Sequence, residues 1–478
     1  MEANAEEPMH LYEKRIPIVP RWVRGKFRNF KSAVLVLAYA IYFVLPWVPW
    51  HRLSGINQAV AFDMVGRRFF IFGLTVYPQN VFWLAWLLFI AAVFLFFMTT
   101  LLGRAFCGYF CFQTLWTDFF MIIERMVQGD RPARLKLLKQ PWNGEKLLKI
   151  GTTHTLFLLT SFWTAMTFVL YFGYAPQILH DFVTGNGAQA AYVAVIILTL
   201  STYIAAAFMR EQICQFVCPY GRFQSVMYEP ETLVVTYEYR RGEGEKGRAG
   251  MKGDLKTREA RQAAGHGDCI DCGICVQVCP VGIDIRDGLQ YRCISCGLCI
   301  DACNGVMGSV GFPKGLIRYD SEINMKKDVP DNPHLNWNRL KVYGYLVALV
   351  VMTSMLAVSI MHRTDFEYSV QQVRQPLFVV LSSGKIRNRY EIHLTNDSDR
   401  DQSFHISTED IPPGSLDMGL MQNAVVHPGK SVIVEASVEM DPEEARQHKS
   451  FEFVIQSQDI EKDHAEVKVS FFSENSQI

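Results

Sequence analysis

Residues 269–280 read CIDCGICVQVCP and residues 293–304 read CISCGLCIDACN. Both runs space their cysteines C-x2-C-x2-C-x3-C, and the second carries Asn304 where the first has Pro280. Thiolates two residues apart on a short loop wrap three corners of one iron–sulfur cubane, and Gly273 and Gly297 permit the tight turns required. The fourth cysteine stands too near the turn to close its own cluster; in two-cluster ferredoxins it reaches across to the other. The expected ligand sets are therefore crossed. Cys269, Cys272, Cys275 and Cys303 hold one [4Fe–4S] cluster, and Cys293, Cys296, Cys299 and Cys279 hold the second. Zinc uses separated C-x2-C pairs, not triples followed by x3. Residues 268–339 are thus expected to form an α+β, two-cluster ferredoxin-like domain.

The rest of the chain sets this domain in a membrane protein. Lys+Arg and Asp+Glu are both 47 in 478 residues, and half of the residues are hydrophobic. That balance excludes a disordered chain and a generally basic nucleic-acid binder. All twelve cysteines lie between Cys107 and Cys303. This clustering speaks for metal ligation in a reducing compartment, not for a secreted disulfide scaffold. Upstream of the runs, 240–267 (RRGEGEKGRAGMKGDLKTREARQAAGHG) is rich in glycine and basic residues, which predicts a mobile linker.

Five stretches are long and apolar enough to cross a bilayer: 32–50, 80–102, 152–174, 188–209 and 340–361. They predict a five-helix transmembrane bundle, with 32–239 as the membrane domain and 1–31 as an N-terminal cytoplasmic segment. Lys and Arg are dense in 1–31, 103–150 and 211–339 and sparse in 51–79 and 175–187. The positive-inside rule then puts the ferredoxin-like part in the cytoplasm and the C-terminus on the far side.

Four cysteines lie outside the double motif. Cys107 and Cys111 (RAFCGYFCFQ) follow the second span, and Cys214 and Cys218 (REQICQFVCPYGRFQ) follow the fourth. A C-x3-C pair shares one helical face. If the two hairpins pack together, four sulfurs converge beneath the ferredoxin part. Soft thiolates select Cu(I), zinc or an iron–sulfur cluster, whereas the plain alternative is that each Cys packs as a small hydrophobe. Arg104, Arg210 and Arg222 stand near these thiols and would lower their pKa values; for Arg104 and Arg210 the stronger reading is a membrane-flanking charge. His51 and His180 follow outward-going spans, and His154 begins one. A haem inside the bundle would want histidines within the spans, so haem is not expected.

From 363 onward the pattern changes to short alternating runs, including RNRYEIHLTN, SVIVEASVEM and SFEFVIQS, punctuated by turn signals such as Asn396-Asp397. This predicts an all-β sandwich over 363–478. The spans, the double motif, GRAFCGYFCFQTLWTD, CQFVCPYGRFQ and the RNRYEIHLTN opening of the tail together resemble the FixG/RdxA/CcoG family, accessory proteins for assembly of cbb-type cytochrome oxidases. The resemblance implies a multi-pass protein of the bacterial inner membrane with two [4Fe–4S] clusters and an immunoglobulin-like, periplasmic tail. It also implies copper as substrate: Cu(II) is reduced and Cu(I) supplied to the oxidase, with assembly factors or a copper transporter or chaperone as partners. The electron donor is left open. A polyferredoxin-type electron carrier and a non-enzymatic assembly scaffold are the competing readings. The exported binding module disfavours the carrier.

Overall fold

The computed structural model describes residues 18–473 apart from 53–54, 78–79, 328–334, 363–365, 374, 399, 420–422 and 458–463. Positions 1–17 of the N-terminal segment lie outside the described residues. The chain divides into two units, one of 1–44, 88–169 and 186–352, the other of 45–87, 170–185 and 353–478.

Six helical stretches among the described residues are long and apolar enough to cross a membrane: Lys26–Trp47, Val81–Leu102, Ala105–Gln128, Gly144–Leu170, Gln189–Met209 and Leu340–Met361. Five correspond to the expected spans, with shifted ends. The first helix proper runs Lys26–Val44 instead of 32–50. Pro46 and Pro49 stop it early, and its basic start is accommodated because Asp118 is there to receive it. Arg28 donates to both Asp118 oxygens at 2.8 Å, and Lys31 Nζ lies 3.6 Å from one of them. The third helix begins at Gly144, eight residues before the expected start, where the Asn143 side chain accepts from Lys146 N.

The sixth stretch was not expected. It breaks at Cys111, which is extended, into Ala105–Tyr109 and Phe112–Gln128. Asp118 and Glu124 are buried within it. Trp116 stacks on Tyr39 with ring centroids 4.5 Å apart, and Phe120 stacks on Phe157 at 4.2 Å. After Tyr203 the helix of the fourth expected span continues as two π-helical pieces, Ile204–Met209 and Ile213–Val217. Between them Arg210 sits at φ +42°, a strained conformation for a residue with a side chain.

Segment 240–267 is not the mobile linker that its composition suggested. It contains the helices Tyr239–Glu243 and Arg258–Ala263 and a bridge between Gly244 and His266. Gly267 serves a close approach: a Cβ there would lie 2.1 Å from the Gly242 carbonyl oxygen. Arg261 is fully buried, and its guanidinium donates to the carbonyls of Gly267, Ala249 and Cys269. A basic residue here is an internal clamp, a role that charge counting does not reveal.

The ferredoxin-like part is closed by two short antiparallel strands, Val234–Tyr237 and Ile317–Asp320. Within it each cysteine run feeds a helix, Ile274–Gln277 after the first and Leu298–Ser309 after the second.

The second unit holds a three-stranded sheet (Val60–Asp63, Arg68–Ile71, Leu74–Val76) and the C-terminal sandwich. In one sandwich sheet Leu416–Asp417, Ser431–Met440, Ile386–Asn396 and Phe366–Gln372 are neighbours, with Val379–Val380 on the side. In the other the order is Asn423–Val426, Gln402–Glu409, Ser450–Ser457 and His464–Ser470. Alternate residues of each sheet meet in a core of Tyr390, Ile392, Leu394, Phe404, Phe451, Phe453 and Ile455.

Candidate cluster sites and the membrane-edge thiols

The two cysteine runs fold into matching loops. Asp271 and Gly273 are left-handed (φ +48° and +65°), and so are Ser295 and Gly297 (φ +51° and +69°) at the equivalent places. Short polar side chains and glycine tolerate this conformation best. Both loops therefore turn their first three cysteines inward in the same way.

Two separate cavities result. Cys269, Cys272, Cys275 and Cys303 line the first, with Tyr237, Arg286, Met307 and Ile317 among its other walls. Cys279, Cys293, Cys296 and Cys299 line the second, with Val281, Ile283, Ile285 and Ile294. Cys275 lines both. Cys303 reaches the first cavity because it lies one helical turn beyond Cys299 on Leu298–Ser309.

The donor set fits a large multi-metal group better than a single ion. All twelve cysteines are free thiols. Among the described residues no three His, Cys, Asp or Glu side chains stand close enough to share one metal ion. Tetrahedral zinc, at roughly 2.3 Å from each sulfur, would demand such a group. Burial pushes the Cys275 and Cys293 thiols up to about 11 and Cys279 and Cys303 up to about 12, and Cys299 is raised further; neighbouring thiols add to the shift in each. Thiols so placed stay protonated until a cationic group displaces their protons. The backbone N–H of Ser295 points at Cys293 Sγ at 3.4 Å, the kind of contact that tunes a cluster's potential.

The structure also brings the four remaining cysteines into mutual electrostatic range. Burial, then Cys111 and Cys107, pushes the Cys214 thiol up to about 12, against the lowering influence of Arg104, while Cys218 adds to the rise. The expectation that nearby arginines keep these sulfurs ionised is thus overturned at Cys214, where desolvation outweighs the cation. Cys107 is buried and donates its thiol to Gln224 Oε1 at 3.2 Å; Gln224 in turn donates to Thr99 Oγ1 at 3.1 Å.

Nor are Arg104 and Arg210 membrane-flanking charges. Arg104 is 3% exposed and donates to the Tyr291 carbonyl, two residues before Cys293. Arg210 forks onto Glu124, which also receives Arg134. The side chain of Arg222 lies outside the described residues.

Cys107 and Cys214 lie against the ferredoxin-like part. Cys107 belongs to the same apolar core as Val281, Ile294 and Cys296. Tyr109 donates its hydroxyl to the Cys296 carbonyl at 2.8 Å. Gly108 lies between them, and a Cβ there would come 2.6 Å from the Ile294 oxygen and 3.0 Å from Cys296 Cα. Gly108, Tyr109 and Gln224 stand outside the cysteine pattern that the sequence displays. The signal available was a lone glycine inside C-G-Y-F-C. Among the histidines, His154 bonds the Tyr203 hydroxyl at 2.9 Å and stacks on Phe208, while His51 and His180 are exposed.

Comparisons with known proteins find iron–sulfur families over the cysteine-bearing parts of the chain. A family described as a 4Fe-4S dicluster domain matches residues 209–322, and one described as a 4Fe-4S binding domain matches 84–126. An IG-like fold found at the C-terminus of FixG matches 356–474. Protein RdxA of Cereibacter sphaeroides is 40% identical over 404 residues, covering 84% of this chain and 83% of its own. Protein RdxB of the same organism is 40% identical over 435 residues (90% and 88%). Nitrogen fixation protein FixG of Rhizobium meliloti is 36% identical over 438 residues (85% and 82%). A crystal structure of a FixG-related protein from Vibrio parahaemolyticus aligns with 23% of this chain and 99% of its own, at 18% identity and a TM-score of 0.21.

Proposed function

The chain belongs to the FixG/RdxA family of iron–sulfur electron-transfer proteins, and on that premise we propose that it reduces Cu(II) to Cu(I) and supplies the product for assembly of a cbb-type cytochrome c oxidase. The observation that carries this reading is the packing of Cys107 in one apolar core with the cysteines of the second cavity. When bound, a [4Fe–4S] cluster supplies one-electron storage at a potential set by its surroundings. The proposed ligand sets are Cys269, Cys272, Cys275 and Cys303 for the first and Cys279, Cys293, Cys296 and Cys299 for the second. Their support is that each set lines its own cavity.

Cys107, Cys111, Cys214 and Cys218 are the proposed seat of the substrate, held by two of them at a time, since among the described residues no three stand close enough to share one ion. Soft sulfur ligands favour Cu(I) over Cu(II), so copper held there is an acceptor for one electron. The step is Cu(II) plus one electron to Cu(I), with no bond broken. Gly108, Tyr109 and Arg104 hold the donor side and the thiol side in contact. Release of Cu(I) would then be to a transporter, chaperone or assembly factor.

The proposed topology has five crossings, with the ferredoxin-like part cytoplasmic and the C-terminal domain periplasmic. Its support is that both ends of the extra stretch Ala105–Gln128 abut the same domain. Gly108 meets Cys296 at one end; at the other, Arg131 bonds the Val19 carbonyl, and Arg21 N bonds the Gln277 carbonyl. A helix with both ends on one face does not cross.

The test replaces both cysteines of each pair by serine and follows copper reduction with a Cu(I)-specific chelator. The expected outcome is loss of copper reduction with cluster absorbance intact. Full activity in the quadruple variant would move copper reduction to the clusters themselves.

A further inference from the structure

A cleft opens where residues 20–23 cross the ends of helices Phe112–Gln128 and Arg131–Lys139. Five arginines line it: Arg21, Arg28, Arg125, Arg131 and Arg134. The acids nearby are already engaged. Asp118 takes both N–H groups of Arg28, Asp130 takes Arg125 Nε at 2.7 Å, and Glu124 is shared by Arg134 and Arg210.

The remaining donors are cationic and under-used. The exposed Arg21 guanidinium has no hydrogen bond or ion pair among the described residues. Among the described residues Arg131 is held by the Val19 carbonyl alone. Arg134 is 7% exposed, and its Nε is buried with no acceptor. An unmet buried donor costs on the order of 1–3 kcal/mol, and among the described residues nothing accepts from this nitrogen. Asp130 occupies the N-cap of Arg131–Lys139 without a side-chain cap bond, which leaves the first-turn N–H groups of Arg131 and Ala133 uncapped by it. Trp22, clasped by Arg28 at 4.1 Å and Arg125 at 4.5 Å, stiffens the floor.

From this arrangement we infer that the cleft binds a phosphate group, carried by an anionic lipid headgroup or by a soluble phosphate compound. Several guanidinium forks and a helix start converging on one space match the oxygens of a phosphate better than a single carboxylate. The far wall is Val278, Pro280 and Leu298, neighbours of Cys279 and Cys299. A bound phosphate therefore sets its charge beside the second cysteine cavity. The inference stands apart from the copper reading, since it concerns binding alone.

The experiment uses the full chain, delipidated in detergent and free of phosphate. Native mass spectrometry follows phosphatidylglycerol against phosphatidylcholine, and calorimetry follows inorganic pyrophosphate. Phosphatidylglycerol, pyrophosphate or both should bind, at least tenfold more weakly to the Arg21→Ala/Arg131→Ala double variant and unchanged in Lys139→Ala. Binding of the lipid alone assigns a headgroup, and binding of pyrophosphate alone assigns a soluble compound. Because Arg131 also holds Val19, the exposed single change Arg21→Glu repeats the test if the double variant misfolds. Affinity unchanged in these variants, or no preference for either phosphate probe over phosphatidylcholine, would overturn the site.

Discussion

Gly108 has no room for a side chain. A methyl group there meets main-chain atoms of Ile294 and Cys296, which cannot rotate away. Overpacking of this kind costs about 1–3 kcal/mol. Gly108→Ala should lower the melting temperature and slow copper reduction while iron content stays near wild type, since no thiol is touched. Asp118 makes a different residue-scale demand. It is 2% exposed and serves both Arg28 and Lys31, which are 4% and 1% exposed. Breaking a buried ion pair by removing one partner costs roughly 3–5 kcal/mol, because the other charge is left stranded. Asp118→Asn should therefore reduce the yield of folded protein in the membrane severely. Removing one of the two stranded charges with Arg28→Met in the same chain should recover part of it, and thermal unfolding in detergent measures both.

At the scale of elements, the two cysteine loops are near copies, but their fourth cysteines have different carriers. Cys279 follows the short helix Ile274–Gln277, whereas Cys303 rides on the twelve-residue helix Leu298–Ser309. Cys303→Ser should strip iron from the site of the first run and leave the second run's cluster in place. That would halve the iron content from about eight atoms per chain; spectroscopy of the remaining cluster would identify which survived. Loss of both clusters, or damage to the second alone, would contradict the crossed assignment. Spacing made these loops legible, because x2-x2-x3 is a local constraint. Sandwich strands such as Ile386–Asn396 were legible for the same reason: alternation is local, and the burial follows it. What escaped the sequence was set by distant partners. Lys26–Lys31 became helix because Asp118, some ninety residues away, receives its charges. Residues 240–267 became structured because Arg261 found three carbonyls. Composition registers neither event.

For the whole molecule, the decisive question is which side of the membrane each part occupies, since copper reduction beside the clusters and an exported sandwich need opposite faces. Basic residues crowd the segments 18–31, 103–150 and 211–339, and such crowding marks the cytoplasmic side. Five crossings then carry the tail outward. Six, with Ala105–Gln128 as a true span, would return it to the side where the chain begins. Two exposed positions separate these cases: Ser382 in the sandwich and Glu245 in the ferredoxin-like part. In intact spheroplasts an impermeant thiol reagent should label Ser382→Cys and spare Glu245→Cys, with Glu245→Cys reacting only after lysis. The reverse pattern would place the cysteine cavities outside the cytoplasm and remove the basis for drawing electrons from a cytoplasmic donor. Labelling of both positions before lysis would show that the two parts share the outer face, which an odd number of crossings between the N-terminus and the tail forbids when the N-terminal segment and the ferredoxin-like part pack together. That packing is observed: Arg21 N bonds the Gln277 carbonyl, and Arg28 N bonds Asp301.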